Sequence, residues 1–253
     1  MKRIFQAAIL ATAMCSGANT ALADDTVSSN RSVDARTVKI NLDGVISLKV
    51  KQGPAALTIY GDPQYVNKVI VEQNGDTLHI GTEKFNGIHF GRNELRAELT
   101  LPNLRELVSG GVGATEVSGF SGDNLRLALE GAGAVKVNSQ YKNVNIKLGG
   151  VGAMNVALGD SDNVDLALRG AGHIEISGHS KVLHADLGGV GSLDAQRLQA
   201  DQIDVNMSGL GSANLYAKTT ANLKLTGLGS ATVYGKPATR NASARGLGSV
   251  SWQ

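Results

Sequence analysis

The chain has 253 residues, 42% of them apolar, with 24 lysines and arginines against 22 aspartates and glutamates. It can bury a sizeable core in one or two domains, and its single cysteine excludes a disulfide framework. The balanced charge gives no sign of a nucleic-acid surface or of a patch for anionic membranes.

Lys2 and Arg3 precede an apolar run from Ile4 through Met14, and Ala21-Leu22-Ala23 supplies the small-x-small pattern of a secretory cleavage site. Residues 1–23 therefore read as a signal peptide cleaved after Ala23, which makes the protein exported, periplasmic or associated with the cell surface. Lipidation at Cys15 is the rival reading, but Met14 stands where a lipoprotein signal wants a small residue. Cleavage removes the only cysteine and leaves 22 basic residues against 22 acidic ones. No later apolar run reaches the length of a membrane span.

Residues 24–35 are polar and without periodicity, and read as a flexible leader. From 36 to 105 short alternations (Val38, Ile40, Leu42; Ile46, Leu48, Val50; Leu57, Ile59) predict β structure, with Asn74-Gly75 as a hairpin turn. The stretch reads either as irregular coils or as a cap on the repeats that begin after it.

From 106 to 253 one phrase, Gly-apolar-Gly, recurs. Its first glycines are Gly111, Gly131, Gly150, Gly170, Gly189, Gly209, Gly227 and Gly246, in steps of 20, 19, 20, 19, 20, 18 and 19. A fixed period of this length marks a solenoid. Apolar residues two, four and six places before the glycine (Leu125, Leu127, Leu129; Val144, Ile146, Leu148) and four and six after it (Val135, Val137; Ile174, Ile176) have the period of a half-buried strand. The fold class is thus all-β, a parallel β-helix of about eight regular coils of 18–20 residues. Hairpin folds would not repeat one phrase at one spacing. Asn124, Asn143 and Asn163 share the place seven before the glycine, where their amides can stack, and Gly119, Gly178 and Gly235 share the place eight after it. Both sets predict corners.

The middle residues Val112, Ala132, Val151, Ala171, Val190, Leu210, Leu228 and Leu247 have two readings. The glycines let the backbone bend and turn these residues into the core, which we take as the expectation, or they form an exposed apolar stripe. Gly111, Gly150 and Gly189 fall 39 apart, as do Gly131, Gly170 and Gly209, so the unit of repetition is a pair of coils.

The runs "RTVKINLDGVISLKVKQG", "DTLHIG" and "LTLPNLRELVSGGVGATEV", followed by "LGGVG", "RGAGHIEI" and "SGLGSANLYA", resemble the head GIN domain of auto-transporter adhesins over residues 36–252. The resemblance implies a β-helical, exported protein of the bacterial envelope and brings no catalytic residues with it. A self-exporting auto-transporter would also carry a C-terminal membrane barrel. Here the last coil reaches Trp252, so self-export is not expected.

Chemical motifs weigh little. "GGVGATEVS" and its relatives look like a calcium nonapeptide, but Thr115, Met154 and Leu193 replace the aspartate whose oxygens calcium needs. A dinucleotide fingerprint fails at Glu116, Lys136, Asn155 and Glu175, which stand where the third glycine belongs. His173, His179 and His184 sit at outward offsets in different parts of the coil, and Asp160-Ser161-Asp162-Asn163 reads as a corner. Catalytic, metal and cofactor-binding residues are therefore expected to be none. Tyr216 and Tyr234, both seven after the glycine, should stack on the outside as cross-coil packing or as a platform for a sugar. Trp252 is expected to plug a thin last layer in which Ala242 and Ala244 replace larger residues, and the edge beyond it offers end-to-end association of chains. The functional reading is a non-enzymatic envelope protein that binds a glycan or protein ligand. The alternatives are a self-assembling structural module and a β-helical carbohydrate-active enzyme, for which spacings of 18–20 residues leave no room for cleft-forming loops.

Overall fold

The computed structural model describes residues 26–83, 95–245 and 247–253. The expected signal segment 1–23 with Cys15, and Gly246, lie outside the described residues. The first half contains β1 (Val27–Arg31), β2 (Lys39–Leu42), β3 (Ser47–Gln52), β4 (Ala56–Gly61), the short helix α1 (Pro63–Val66), β5 (Val69–Asn74), β6 (Thr77–Thr82), β7 (Arg96–Leu101) and β8 (Glu106–Ser109). The second half contains β9 (Val112–Leu129), β10 (Ala132–Leu148), β11 (Val151–Leu168), β12 (Ala171–Leu187), β13 (Val190–Met207), β14 (Leu210–Leu225), β15 (Leu228–Tyr234), β16 (Thr239–Ala244) and β17 (Ser249–Trp252).

Each of β9 to β14 is one long bent strand that leaves a glycine corner, turns at a second corner and arrives at the next glycine. Consecutive strands pair in parallel along almost their whole length, with Val112, Ala132, Val151, Ala171, Val190, Leu210 and Leu228 in one register row. The predicted inward residues, among them Leu125, Leu127, Leu129, Val144, Ile146, Leu148, Ile174 and Ile176, are buried in one core that runs from Ile40 to Val233. This is the parallel β-solenoid read from the period. Its regular part makes about seven turns, because eight glycine phrases bound seven intervals.

The glycine corners are tight for a physical reason. A Cβ on Gly131 would overlap the carbonyl oxygen of Gly111, and the same clash recurs for Gly150 on Gly131, Gly170 on Gly150, Gly189 on Gly170 and Gly209 on Gly189. The second glycine of each phrase meets its own counterpart in the same way, as Gly152 does Gly133. The second corner uses glycine differently: Gly119 and Gly178 have φ of 87° and 126°, a backbone region that side chains with a Cβ disfavour.

The N-terminal stretch is both coil and cap. β2 and β3 form a coil whose corner at Gly44 stacks under Gly111, and their strands pair in parallel with β8 and β9 on one side and with β6 and β7 on the other. The end of the stack is then closed by antiparallel strands: β5 on β6 through the turn at Gly75, β4 on β7, and β1 on β4. Among the described residues, one stack of paired strands therefore runs from the stretch 36–105 into the stretch 106–253. The stretch 24–35 is not a uniform leader, since Val27–Arg31 pairs with Leu57–Gly61. Backbone pairing overrides its polar composition, because an edge strand needs only one row of partners.

Aromatic residues fill the second corner. Phe120 and Tyr141 are fully buried, and the Tyr141 hydroxyl donates to the Leu104 carbonyl. Desolvation pushes the Tyr141 phenol up to about 12, from an ordinary value near 10. Its stabilising contribution is complete below about pH 10 and is lost as pH rises toward 12, where the folded protein must also ionise it. We expect Tyr141→Phe to abolish about 2 kcal/mol of the stability lost between pH 10 and pH 12, as read from urea melts across that range.

The corner geometry predicts that Gly170→Val destabilises the fold by about 3 kcal/mol or more, while Arg169→Val, at the exposed neighbour, changes it by less than about 0.5 kcal/mol. Equal melting temperatures for the two variants would contradict the crowding at the glycine corner.

Candidate binding surface

Strand alternation does not stop at the glycine corner. Both glycines occupy inward places, where the neighbouring coil leaves no room for a Cβ, and the residue between them therefore points outward. This overturns the expectation that the middle residue turns into the core. Val151 is 61% exposed and Leu247 85%, with Val112, Val190, Leu210 and Leu228 about half exposed. Ala132 and Ala171 are exposed in the same row. Val45 extends it at the N-terminal end through its bridge to Val112. The result is a straight apolar ridge, one residue per coil at roughly 4.8 Å spacing. It is bordered on one side by the residues three places after the first glycine, which are small in every coil but one: Ala114, Ala134, Ala153, Ser192, Ser212 and Ser230, with His173 as the exception. A continuous apolar strip on the outside of a protein is a candidate contact surface.

Other rows along the solenoid are polar. At the second corner Lys142 pairs with Asp123 at 2.8 Å, Lys181 with Asp162 at 2.6 Å and Lys218 with Asp201 at 3.7 Å, so charge alternates coil by coil. The hydrogen bond to Asp123, reinforced by its charge, holds the Lys142 ammonium above the ordinary range, and the same bond lowers the Asp123 carboxyl. Beside this row the predicted amide ladder is present. Asn163 donates to Asn143 at 2.9 Å, and Asn143 to Asn124 at 3.3 Å.

The structure separates the three histidines. His173 contacts the Ser192 hydroxyl beside the ridge, His179 lies 3.6 Å from Asp160 at the second corner, and His184 stands between Asp165 and Asp204 on a third face. The Asp160–Asn163 stretch is accounted for as a corner: Ser161 is buried and donates to the Tyr141 carbonyl, while Asp162 holds Lys181. Thr115, Met154 and Leu193, at the position a calcium repeat would need for a ligand, all point into the core. Among the described residues no group of three metal-ligating side chains converges, and no helix is long and apolar enough to cross a membrane.

Tyr216 and Tyr234 face each other across adjacent coils and are half-buried, with the Tyr216 ring close over Gly235. That placement packs the ring on backbone, as a cross-coil contact does. Trp252 lies in register with the buried Val233, packs partly against the core, and carries the Arg240 guanidinium 5.4 Å from its ring centroid.

Residues 38–237 match the model of the family described as "Putative auto-transporter adhesin, head GIN domain". The chain belongs to this family. Among solved structures, a "putative adhesin" from Parabacteroides distasonis shares the fold at a TM-score of 0.82 and 20% identity, covering 91% of this chain and 98% of its own. A "putative adhesin" from Bacteroides fragilis matches at 0.66 and 22%, covering 90% and 97%. A "putative lipid binding protein" from Parabacteroides distasonis matches at 0.76 and 20%, covering 91% and 98%. At these identities the likeness is one of fold. No protein of curated function matches the chain in sequence.

Within this head GIN domain the C-terminal layer is the thin one, since every residue of β16 is exposed. We expect Trp252→Ala to cost about 2 kcal/mol, less than a fully buried large aromatic because the indole is only partly buried, measured by urea denaturation.

Proposed function

We propose that this head GIN domain is an exported, non-enzymatic envelope protein with an adhesin-like role. In this reading it is cleaved after Ala23, acts in the periplasm or at the cell surface, and uses the outer face of its solenoid to bind an envelope or extracellular glycan or protein. The observation that carries the reading is the in-register apolar ridge from Val112 to Leu228, held outward on a rigid backbone that gains nothing from exposing it. Rigid presentation lowers the ordering cost of binding. The regular coils also turn without inserted loops at their corners, where a β-helical enzyme would build a cleft, and the family and its structural neighbours point the same way.

Because the ridge residues point outward, Val151→Asp should leave the melting temperature unchanged. We expect this variant to lower adhesion of labelled mature protein to intact bacterial cells and to a glycan array by about tenfold or more, as loss of a central interface contact does. Adhesion unchanged by Val151→Asp together with Val190→Asp would place the binding surface elsewhere.

A further inference from the structure

The neutral total conceals a segregation of charge along the solenoid axis. Residues 24–105 carry ten acidic and ten basic residues, 106–204 carry twelve and seven, and 205–253 carry five basic residues and no acidic one. The five, Lys218, Lys224, Lys236, Arg240 and Arg245, are all exposed. Among the described residues only Lys218 has a carboxylate partner, Asp201.

The ridge changes at the same coil. Up to Val190 it is valine and alanine; from there to the end it is Leu210, Leu228 and Leu247, with exposure rising to 85% at Leu247. Tyr216, Tyr234 and Trp252 belong to the same three coils, and all three are only partly buried. Cations, exposed leucines and half-buried aromatic rings are thus gathered at one end of the molecule. That combination suits the boundary between lipid headgroups and water, where basic residues meet phosphate, aromatic rings sit at headgroup level and aliphatic tips reach the first carbons of the chains.

We propose that the C-terminal end of the solenoid docks on an anionic bilayer surface, with these cations on the lipid phosphates and Leu228 and Leu247 inserted between headgroups. The contact is superficial, since the exposed backbone of β16 needs water or headgroup partners and could not enter the hydrocarbon. A second copy of the chain is a poorer occupant. End-to-end stacking of opposite ends would meet a charge-balanced N-terminal region, and pairing of like ends would set five cations against five. A soluble polyanion would satisfy the cations and leave the leucines without a role. The proposal goes beyond the binding role above, because it assigns the end of the solenoid that meets lipid and leaves the valine-alanine part of the ridge, several coils away, outside the contact.

The test is flotation of the mature protein with vesicles of phosphatidylglycerol mixed with phosphatidylcholine, and with phosphatidylcholine alone. We expect binding to the anionic vesicles only, weakening steeply with salt, since each basic residue near such a surface contributes roughly fivefold. Lys236→Glu with Arg245→Glu should lower that binding by more than tenfold. Leu228→Ser with Leu247→Ser should lower it several-fold while leaving the salt dependence intact, and Val151→Asp should not change it. Melting curves confirm that these surface variants fold. Equal binding to neutral and anionic vesicles would overturn the proposal. So would binding of dextran sulfate that matches the vesicles and ignores the leucine variant, or self-association in light scattering with no vesicle binding at all.

Discussion

The carbonyl oxygen of one corner glycine lies where the Cβ of the next coil's glycine would be. This crowding sets the rest of the architecture. Two inward places in every coil must lack a side chain, so the coil can turn sharply without leaving its register. Because the register survives the turn, the inward and outward sides keep their parity from one strand to the next. The apolar core on one side and the ridge on the other are two results of the same alternation.

Stacking identical coils brings like residues within about 5 Å of each other, which helps some chemistries and harms others. Amides gain, since each can donate to the one below, as Asn163 does to Asn143. Charges lose: two like charges at that distance repel by roughly 1 kcal/mol even in water. The two-coil unit resolves the conflict, because a period of 39 residues can place an acid in odd coils and a base in even ones. Asp123, Lys142, Asp162, Lys181 and Asp201 follow that order, so repulsion becomes attraction without any change of fold.

Much of this is legible in the residues. The period, the strand parity, the amide ladder, the hairpin at Asn74-Gly75 and the turns at Gly119 and Gly178 each depend on local chemistry repeated at fixed spacing. The orientation of Val112 and its row is the exception, because freedom of the glycine backbone suggests a bend inward. In the fold the crowding of adjacent coils uses the glycines as inward residues and leaves the alternation intact. The polar strand Val27–Arg31 carries no signal of its own, since its hydrogen bonds come from a partner about thirty residues away. The charge segregation is present in the sequence but hidden by the chain total, and it acquires meaning only when successive stretches become successive layers.

The order of layers at the N-terminal end has a bearing on how the chain assembles. Residues 39–52 form the first coil to leave the N-terminus, yet in the stack they are sandwiched between the layer of 77–82 and 96–101 and the layer that begins at 106. The chain has to step outward, lay down the outer layer and then pass back beneath its own starting point. Growth by adding one coil at a time is thus closed to the first hundred residues, which must come together as a unit of high contact order. After Gly111 each new coil finds its template already in place. The molecule therefore has a slow nucleus and a growing end. Removing a regular coil would shorten the rod, whereas removing any of the first three layers would take away the surface on which all the others are laid.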